Sequence, residues 1–448
     1  MSASVSSQRT SGAALAVAVV AAAVTLLGLL SLTPPWRDLE RRTFDLATAL
    51  VAPGRIEASI VIVAIDESSF AELRERWPFP RSMHATLINR IVQDGPLAIG
   101  FDVLFAEPSA NPDDDKAFAA SIRRAGNVVL AMARDPFMTV HARGVVEVRP
   151  LQAFIDAGAL VGNVGLEPDP DFVVRRLPEG DDTFARVLAK RAGADVLPVD
   201  DERTALMRYA GPRGTVPAVH YYQAVEHGFL PSGFFRGKIV LVGLALSTSP
   251  EVTRVQADQY NAPFFGDAGA MPGVEIQAQA LANLIERRPL VAVGPPAAEL
   301  LALALASLVA WVGFRRGPLK AGAVLVLSLI AVPAAMLLLF MRAGLWLSWL
   351  LPVSAATVAF TAQTVQSALV ARARVRETRL AFARYVPPEL VKRIANDPES
   401  LALGGEEREL TLLFSDLRNF TELAEGLPPQ EVVRVLSDYF DAMTQVIH

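Results

Sequence analysis

Three groups of residues have types and spacing suited to chemistry. Near the C-terminal end, Glu409-Leu410-Thr411-Leu412-Leu413-Phe414 reads as a strand that closes on Ser415-Asp416, and Leu417-Arg418-Asn419-Phe420-Thr421 turns into a helix. A strand-end carboxylate can hold Mg²⁺, and backbone N–H groups at the start of the next helix can cradle phosphates. Taken alone, one strand-end aspartate is usually structural. In the first half of the chain, Asp66-Glu67 and Asp102 each follow a short apolar run, at the strand ends where open α/β sheets place ligands. No serine–histidine pairing, Gly-rich phosphate loop or Asp-x-Asp-x-Thr phosphatase signature accompanies them. Helix capping is therefore their expected role, and Asp66 and Asp102 are also the candidates for contact with a sensed ligand. Asp113-Asp114-Asp115 lacks the alternating spacing of a calcium loop and precedes Ala117-Phe118-Ala119, so a helix N-terminus is expected there.

These acids need a frame. Ile60-Val61-Ile62-Val63-Ala64-Ile65 is a continuous apolar run rich in β-branched residues and reads as a buried strand. Residues 82–92 alternate apolar and polar types at helical spacing, and 97–101, 128–131 and 238–243 read as further strands. Strands alternating with helices imply an α/β domain with a largely parallel sheet covered on both faces.

The chain has 448 residues, 52% of them hydrophobic, and the apolar excess is concentrated in blocks. Residues 13–32, 296–314, 319–341 and 345–370 are each about long enough to cross a bilayer, giving a multi-domain membrane protein with four transmembrane helices. The first block also suits a cleaved signal peptide, but its length and the poor cleavage site at Ser31-Leu32-Thr33-Pro34-Pro35 favour an uncleaved anchor, with Trp36 at the interface. Arg315, Arg316 and Lys320 lie between the second and third blocks, and Arg372, Arg374, Arg376 and Arg379 follow the fourth. The remaining loop has only Arg342. The positive-inside bias then makes 1–12 cytoplasmic and 36–288 an exported sensor domain, in a multi-pass protein of the cytoplasmic (inner) membrane. Arg37, Arg41 and Arg42 run against this, and the three later blocks outweigh them. A net charge of −5 offers no basic face for nucleic acid, and the absence of Cys excludes disulfides, zinc–thiolate sites and thiol catalysis.

Beyond the last block, 371–385 is Arg-rich and free of Gly and Pro, with an imperfect apolar seam at Leu369, Val375, Leu380 and Phe382. Such a helix suits pairing with its copy in a parallel homodimer, or a solvated linker. Pro387-Pro388 ends it and opens a helix over 389–395, and Pro428-Pro429 opens another with Val432, Val435, Leu436, Tyr439, Met443 and Val446 on one face.

Several separated words occur in a telling order. Ile60 to Ser69, Trp77-Pro78-Phe79-Pro80-Arg81, Gly100-Phe101-Asp102-Val103-Leu104-Phe105, Arg175-Arg176, Gly237-Lys238-Ile239-Val240-Leu241-Val242-Gly243 and Met271-Pro272-Gly273-Val274-Glu275 together resemble the second class of CHASE-type extracellular sensors. That resemblance implies one span before the domain and three after it, and an extracellular or periplasmic ligand of unknown identity. Arg384-Tyr385-Val386-Pro387-Pro388-Glu389-Leu390-Val391, Leu401-Ala402-Leu403-Gly404-Gly405-Glu406-Glu407-Arg408 and Phe414 to Thr421 resemble the opening of class III adenylate/guanylate cyclases. By that resemblance 371–408 is a signalling helix and transducer, and 409–448 begins an α+β catalytic domain. Asp416 and the backbone carbonyl of Leu417 become ligands of Mg²⁺ or Mn²⁺, and Asn419, Phe420 and Thr421 line the triphosphate of ATP, with GTP possible. Asn419 stands where that family often has Gly. The implied reaction forms cyclic AMP and pyrophosphate from ATP in a site shared by two chains. Gly404-Gly405-Glu406-Glu407-Arg408 also resembles the Gly-Gly-Glu-Glu-Phe word of diguanylate cyclases, but no nucleotide-binding half-domain precedes it and Arg408 replaces the aromatic. Further catalytic residues of class III cyclases lie past the equivalent of His448, so this stretch alone is expected to be inactive. It is either the opening part of a longer cyclase or a sensor or scaffold with a vestigial output.

Overall fold

Six successive apolar residues, Ile60–Ile65 (β1), are all buried because both faces of their sheet are covered. In the computed structural model, which describes residues 18, 20–138, 143–196, 205–246, 258–264, 266, 270–382, 409, 411, 412 and 414–447, β1 lies between Ile239–Leu244 (β8) and Ala218–His220 (β7), parallel to both. On the other side of β8 come Ala98–Asp102 (β2) and then Val128–Met138 (β3), again parallel. The first part of β3 pairs in parallel with Leu160–Asn163 (β5), and its outer part pairs antiparallel with Arg143–Val148 (β4). The sheet is thus largely parallel, with β4 the exception. The strands expected at 97–101, 128–131 and 238–243 are β2, the start of β3, and β8.

Residues along β1 alternate between two cores. Ile60, Ile62 and Ala64 face one that includes Phe184–Arg191 (α7) and Gly273–Glu286 (α9). Val61, Val63 and Ile65 face the other, built with Arg81–Gln93 (α4), Pro112–Ala125 (α5), Gln152–Asp156 (α6) and Tyr221–Val225 (α8). Two glycines set how closely helices approach the sheet. A Cβ on Gly100 would fall 2.8 Å from the Phe184 ring, and one on Gly243 would fall 2.7 Å from Val274 Cβ. Helix α4 is the helix expected over 82–92. The three acids of α5 occupy its first turn behind an Asn111 cap, as expected of a helix N-terminus.

Membrane-type helices frame this domain. Pro295–Arg316 (α10), Pro318–Ala343 (α11) and Leu350–Phe382 (α12) are each long and apolar enough to cross a membrane. The expected first span is described only in part. Val20–Leu30 (α1) and Pro34–Val51 (α2) meet at an 84° bend and pass the same test only as a pair. Pro34 and Pro35 have no N–H to continue α1, so they open a new helix instead. The part of 13–32 before Val20 lies outside the described residues, apart from position 18. Trp36 packs beside the helix cluster and donates its Nε1–H to Glu40. Within that cluster, Ala298, Ala302, Ala306 and Ala310 form a stripe on α10 that meets α1 and α12, the small-residue contact that lets membrane helices approach closely.

The last span also starts later than residue 345. Gly344, at φ +68°, ends α11, and Leu345–Trp346 continue as a short strand (β12) rather than as helix. Strand β12 pairs in parallel with Leu290–Ala292 (β11), which pairs antiparallel with Ala205–Leu206 (β6) of the sensor domain. A hairpin of Gln259–Asn261 (β9) and Ala270–Pro272 (β10) leads into α9, and Glu67–Leu73 (α3) completes the domain.

The second compact unit runs from Arg372. It contains the end of α12, then Phe420–Glu425 (α13) and Pro429–Ile447 (α14). The strand expected over 409–414 is not formed at Glu409, Thr411, Leu412 or Phe414. A strand needs a neighbour for its backbone groups; none pairs with it among the described residues, and Leu412 and Phe414 are exposed. The helix expected over 389–395 lies outside the described residues.

Gly243→Ala should lower the stability of the sensor domain by roughly 1–3 kcal/mol, because its Cβ must displace Val274 in a filled core. Thermal unfolding of the full chain in detergent measures this, and an unchanged midpoint contradicts the close approach.

Candidate functional site

The carboxyl ends of β2 and β8 open into a cleft of about 820 Å³. Asp102, the last residue of β2, reaches it from the sheet, and Asp258, just before β9, from the opposite loop. Gly273 makes the second placement feasible: a Cβ there would stand 2.5 Å from Asp258 Oδ2, so the carboxylate rests against the first residue of α9. Burial, with the charge of Asp258 beside it, pushes the Asp102 carboxyl well above its ordinary value, and burial raises Asp258 too. Neither carboxylate has a side-chain hydrogen bond among the described residues. Two such neighbours share protons rather than both ionising, which suits a ligand that brings hydrogen-bond donors or positive charge.

The wall of the cleft comes from the Trp77-Pro78-Phe79-Pro80-Arg81 word. Arg81 pairs with Asp115 and donates to the carbonyl of Glu107, and its guanidinium lies 5.6 Å from the centre of the Phe105 ring. It thereby ties the starts of α4 and α5 to the loop after β2. One turn on, His84 sits among Trp77, Phe79, Phe101, Phe105, Phe118 and Tyr221, and its Nδ1 meets the Tyr221 hydroxyl at 2.8 Å. Burial, helped by Arg81, lowers its pKa to about 3, so the ring is neutral.

Asp66 does not join this cleft. It caps α3 by accepting from Ser69 N and Ser69 Oγ, and it contacts His220 Nδ1. Strand β8 stands between β1 and β2 and separates it from Asp102. Glu275 of the Met271-Pro272-Gly273-Val274-Glu275 word is buried and accepts from Gly214 N at 2.8 Å, fixing a turn against α9. Arg175 is buried among three carboxylates, bonding Asp45 of α2, Asp169 and Asp171 at 2.7–2.8 Å. Burial opposes its charge, but the hydrogen bonds it donates to Asp45, Asp171 and Asp169 outweigh that and hold the guanidinium above its ordinary pKa. Asp258 and His84 were not singled out by sequence. A lone histidine on the apolar face of 82–92 was the available sign for His84; nothing marks Asp258.

In the C-terminal unit, Asp416 is exposed and its Oδ1 accepts from Leu417 N at 2.9 Å. The Leu417 carbonyl accepts from Phe420 N at 3.4 Å, and Asn419, in left-handed conformation at φ +60°, starts α13. Phe420 and Thr421 are the first residues of that helix. Asp416 and Leu417 thus supply one carboxylate and one carbonyl, oxygen donors of the type Mg²⁺ takes. Among the described residues no three His, Cys, Asp or Glu side chains gather to hold a metal ion, so the two donors are at most part of a site.

A doubly covered, largely parallel α/β domain with a strand-end cleft, joined to three helices long and apolar enough to cross a membrane, is the architecture of a membrane-attached domain. The chain belongs to the CHASE2 domain family, whose model matches residues 17–312. Over 77 residues it is 42% identical to adenylate cyclase 1 of Rhizobium meliloti (strain 1021), covering 16% of this chain and 11% of that protein. It is 33% identical over 76 residues to an adenylate cyclase of Anabaena cylindrica, covering 16% and 15%. An uncharacterized protein of Mycobacterium tuberculosis (strain ATCC 25618 / H37Rv) is 39% identical over 75 residues, covering 16% and 14%. The chain therefore spans about one-ninth to one-seventh of the length of these relatives. No solved structure matches it.

Above the ordinary aspartate pKa the folded state keeps a proton on the Asp102 pair that the unfolded chain has lost, so stability falls as pH rises through that window. Asp102→Asn removes the larger part of this dependence, leaving that of Asp258. Its thermal midpoint should exceed the unmutated chain's by a few degrees at pH 8, with the gap closing towards pH 4. A constant gap across that range contradicts the carboxyl pair.

Proposed function

We propose that this chain is the sensing and membrane part of an adenylate cyclase, with residues from 409 opening its catalytic domain. The observation that carries the reading is the continuity of α12. This single helix of 33 residues begins just after β12, which is hydrogen-bonded towards the sensor domain through β11, and runs unbroken to Phe382. The words that resemble class III cyclases follow directly, and two of the relatives are adenylate cyclases by name.

In this reading the strand-end cleft binds a small ligand outside the cytoplasmic membrane, and both chain ends lie inside. Asp102 and Asp258 favour a ligand with a cationic or hydrogen-bond-donating head, and Trp77 and Phe79 suit an apolar body. Helix α12 pairs with its copy in a parallel homodimer, and the exposed Leu369 and Val375 belong to that seam. Asp416 and Leu417 donate to Mg²⁺ or Mn²⁺, and Asn419, Phe420 and Thr421 lie along the triphosphate of ATP. When bound, the metal stabilises charge that develops on the phosphates.

The test uses a chain extended through a complete catalytic domain, assayed for cyclic AMP from ATP with GTP in parallel. Asp416→Asn should cut the rate by at least about a hundredfold, while Asp438→Asn, on the exposed side of α14, leaves it unchanged. Full activity in Asp416→Asn removes the metal assignment. No activity in the unmutated extended chain favours a sensor or scaffold with a vestigial output.

A further inference from the structure

A second cavity, of about 540 Å³, lies where the sensor domain meets the membrane helices. Its floor is Leu290 of β11 and Phe340 and Met341 in the last turn of α11, so it opens where that span ends on the sensor side. Phe44, Phe340 and Trp346 pack edge to face beside it, the aromatic grouping common at membrane–water interfaces.

The polar lining is incomplete in a particular way. Glu286 is occupied by the backbone N–H groups of Glu57 and Ala58, and Glu57 pairs with Arg288 at 3.2 Å. Arg55 and Arg208 are left without an ion pair among the described residues. Arg208 reaches only the Phe340 carbonyl, at 3.4 Å, and its Nε is buried with no partner. Burial, then the charge of Arg288, lower its pKa below the ordinary value. Thr48 of α2, only 3% exposed, borders the cavity, and its buried hydroxyl has no partner among the described residues. Unpaired buried donors of this kind are costly and call for an acceptor.

We propose that this cavity binds the anionic phosphate headgroup of a membrane phospholipid, held by Arg208 and Arg55. A phosphate there accepts from the guanidinium N–H groups that line the cavity and supplies the negative charge that two arginines lack. A lipid rather than a free anion fits the position: exposed Leu338, Leu339 and Met341 continue from the cavity along α11 and give an acyl chain an apolar track. A headgroup there would touch α2, the sensor core and the end of α11 at once.

Native mass spectrometry of the full chain in mild detergent, titrated with phosphatidylglycerol or phosphatidylcholine, tests this. The unmutated chain should retain phosphatidylglycerol about tenfold more strongly, and Arg208→Gln and Arg55→Gln should each abolish most of that preference. Arg123→Gln, at an exposed position on α5, should keep it. Because Arg55 is exposed, its substitution reads binding even where Arg208→Gln fails to fold. Equal retention of the two lipids, an unchanged preference in Arg55→Gln, or full displacement of the lipid by inorganic phosphate would overturn the proposal.

Discussion

The ion cluster around Arg175 is the constraint on which the arrangement of this sensor depends. A guanidinium removed from water is costly, and it is tolerated only when its donors are matched by well-placed acceptors. Here Asp45 takes it in a two-pronged contact, and Asp169 and Asp171 occupy the rest of the fork. The three acceptors come from two places. Asp169 and Asp171 belong to the loop that carries Arg175 itself, whereas Asp45 lies on α2, which continues through the bend into α1. One buried charge thus fastens α2 to the core of the α/β domain, and any shift of α2 along that core would strand it.

A second fastening works through backbone hydrogen bonds. Strands β6, β11 and β12 make a small sheet whose members come from the sensor core, the link into α10 and the loop between α11 and α12. Val291 N donates to the Gly344 carbonyl and Val293 N to that of Trp346, both at 2.8 Å. Movement of the domain therefore reaches the membrane helices by two routes, through α2 and through the start of α12. The cleft of Asp102 and Asp258 lies at the strand ends, and Val274, lodged against Gly243, couples its floor to α9. Helix α9 leads straight into β11. Under the proposed function, a ligand that changes the spacing of the two carboxylates acts on β11 through α9.

Much of this was readable from residue types because period and burial agree. A six-residue apolar run rich in β-branched residues fits a strand covered on both faces, and β1 is that strand. The acidic triplet before Ala117 fits a helix start, and α5 begins there. The sensor words also had physical causes: Gly243 and Gly273 mark close approaches, Glu275 a buried acceptor, and Arg175 the ion cluster. What escaped depends on partners distant in sequence. Leu345 and Trp346 look like the start of a span until β11 offers them hydrogen bonds. Asp258 gains its meaning only from Asp102, more than a hundred residues earlier. The run closing on Asp416 has strand-forming residues, yet no neighbouring strand among the described residues completes it.

The central claim, that Arg175 binds α2 to the sensor core, is tested most directly by hydrogen exchange on the full chain carrying Asp45→Ala. Removing one charged acceptor should speed exchange of the amides of α2 by at least about tenfold, while those of β1 and β8 stay as protected as before. Unchanged protection across α2 would contradict the claim.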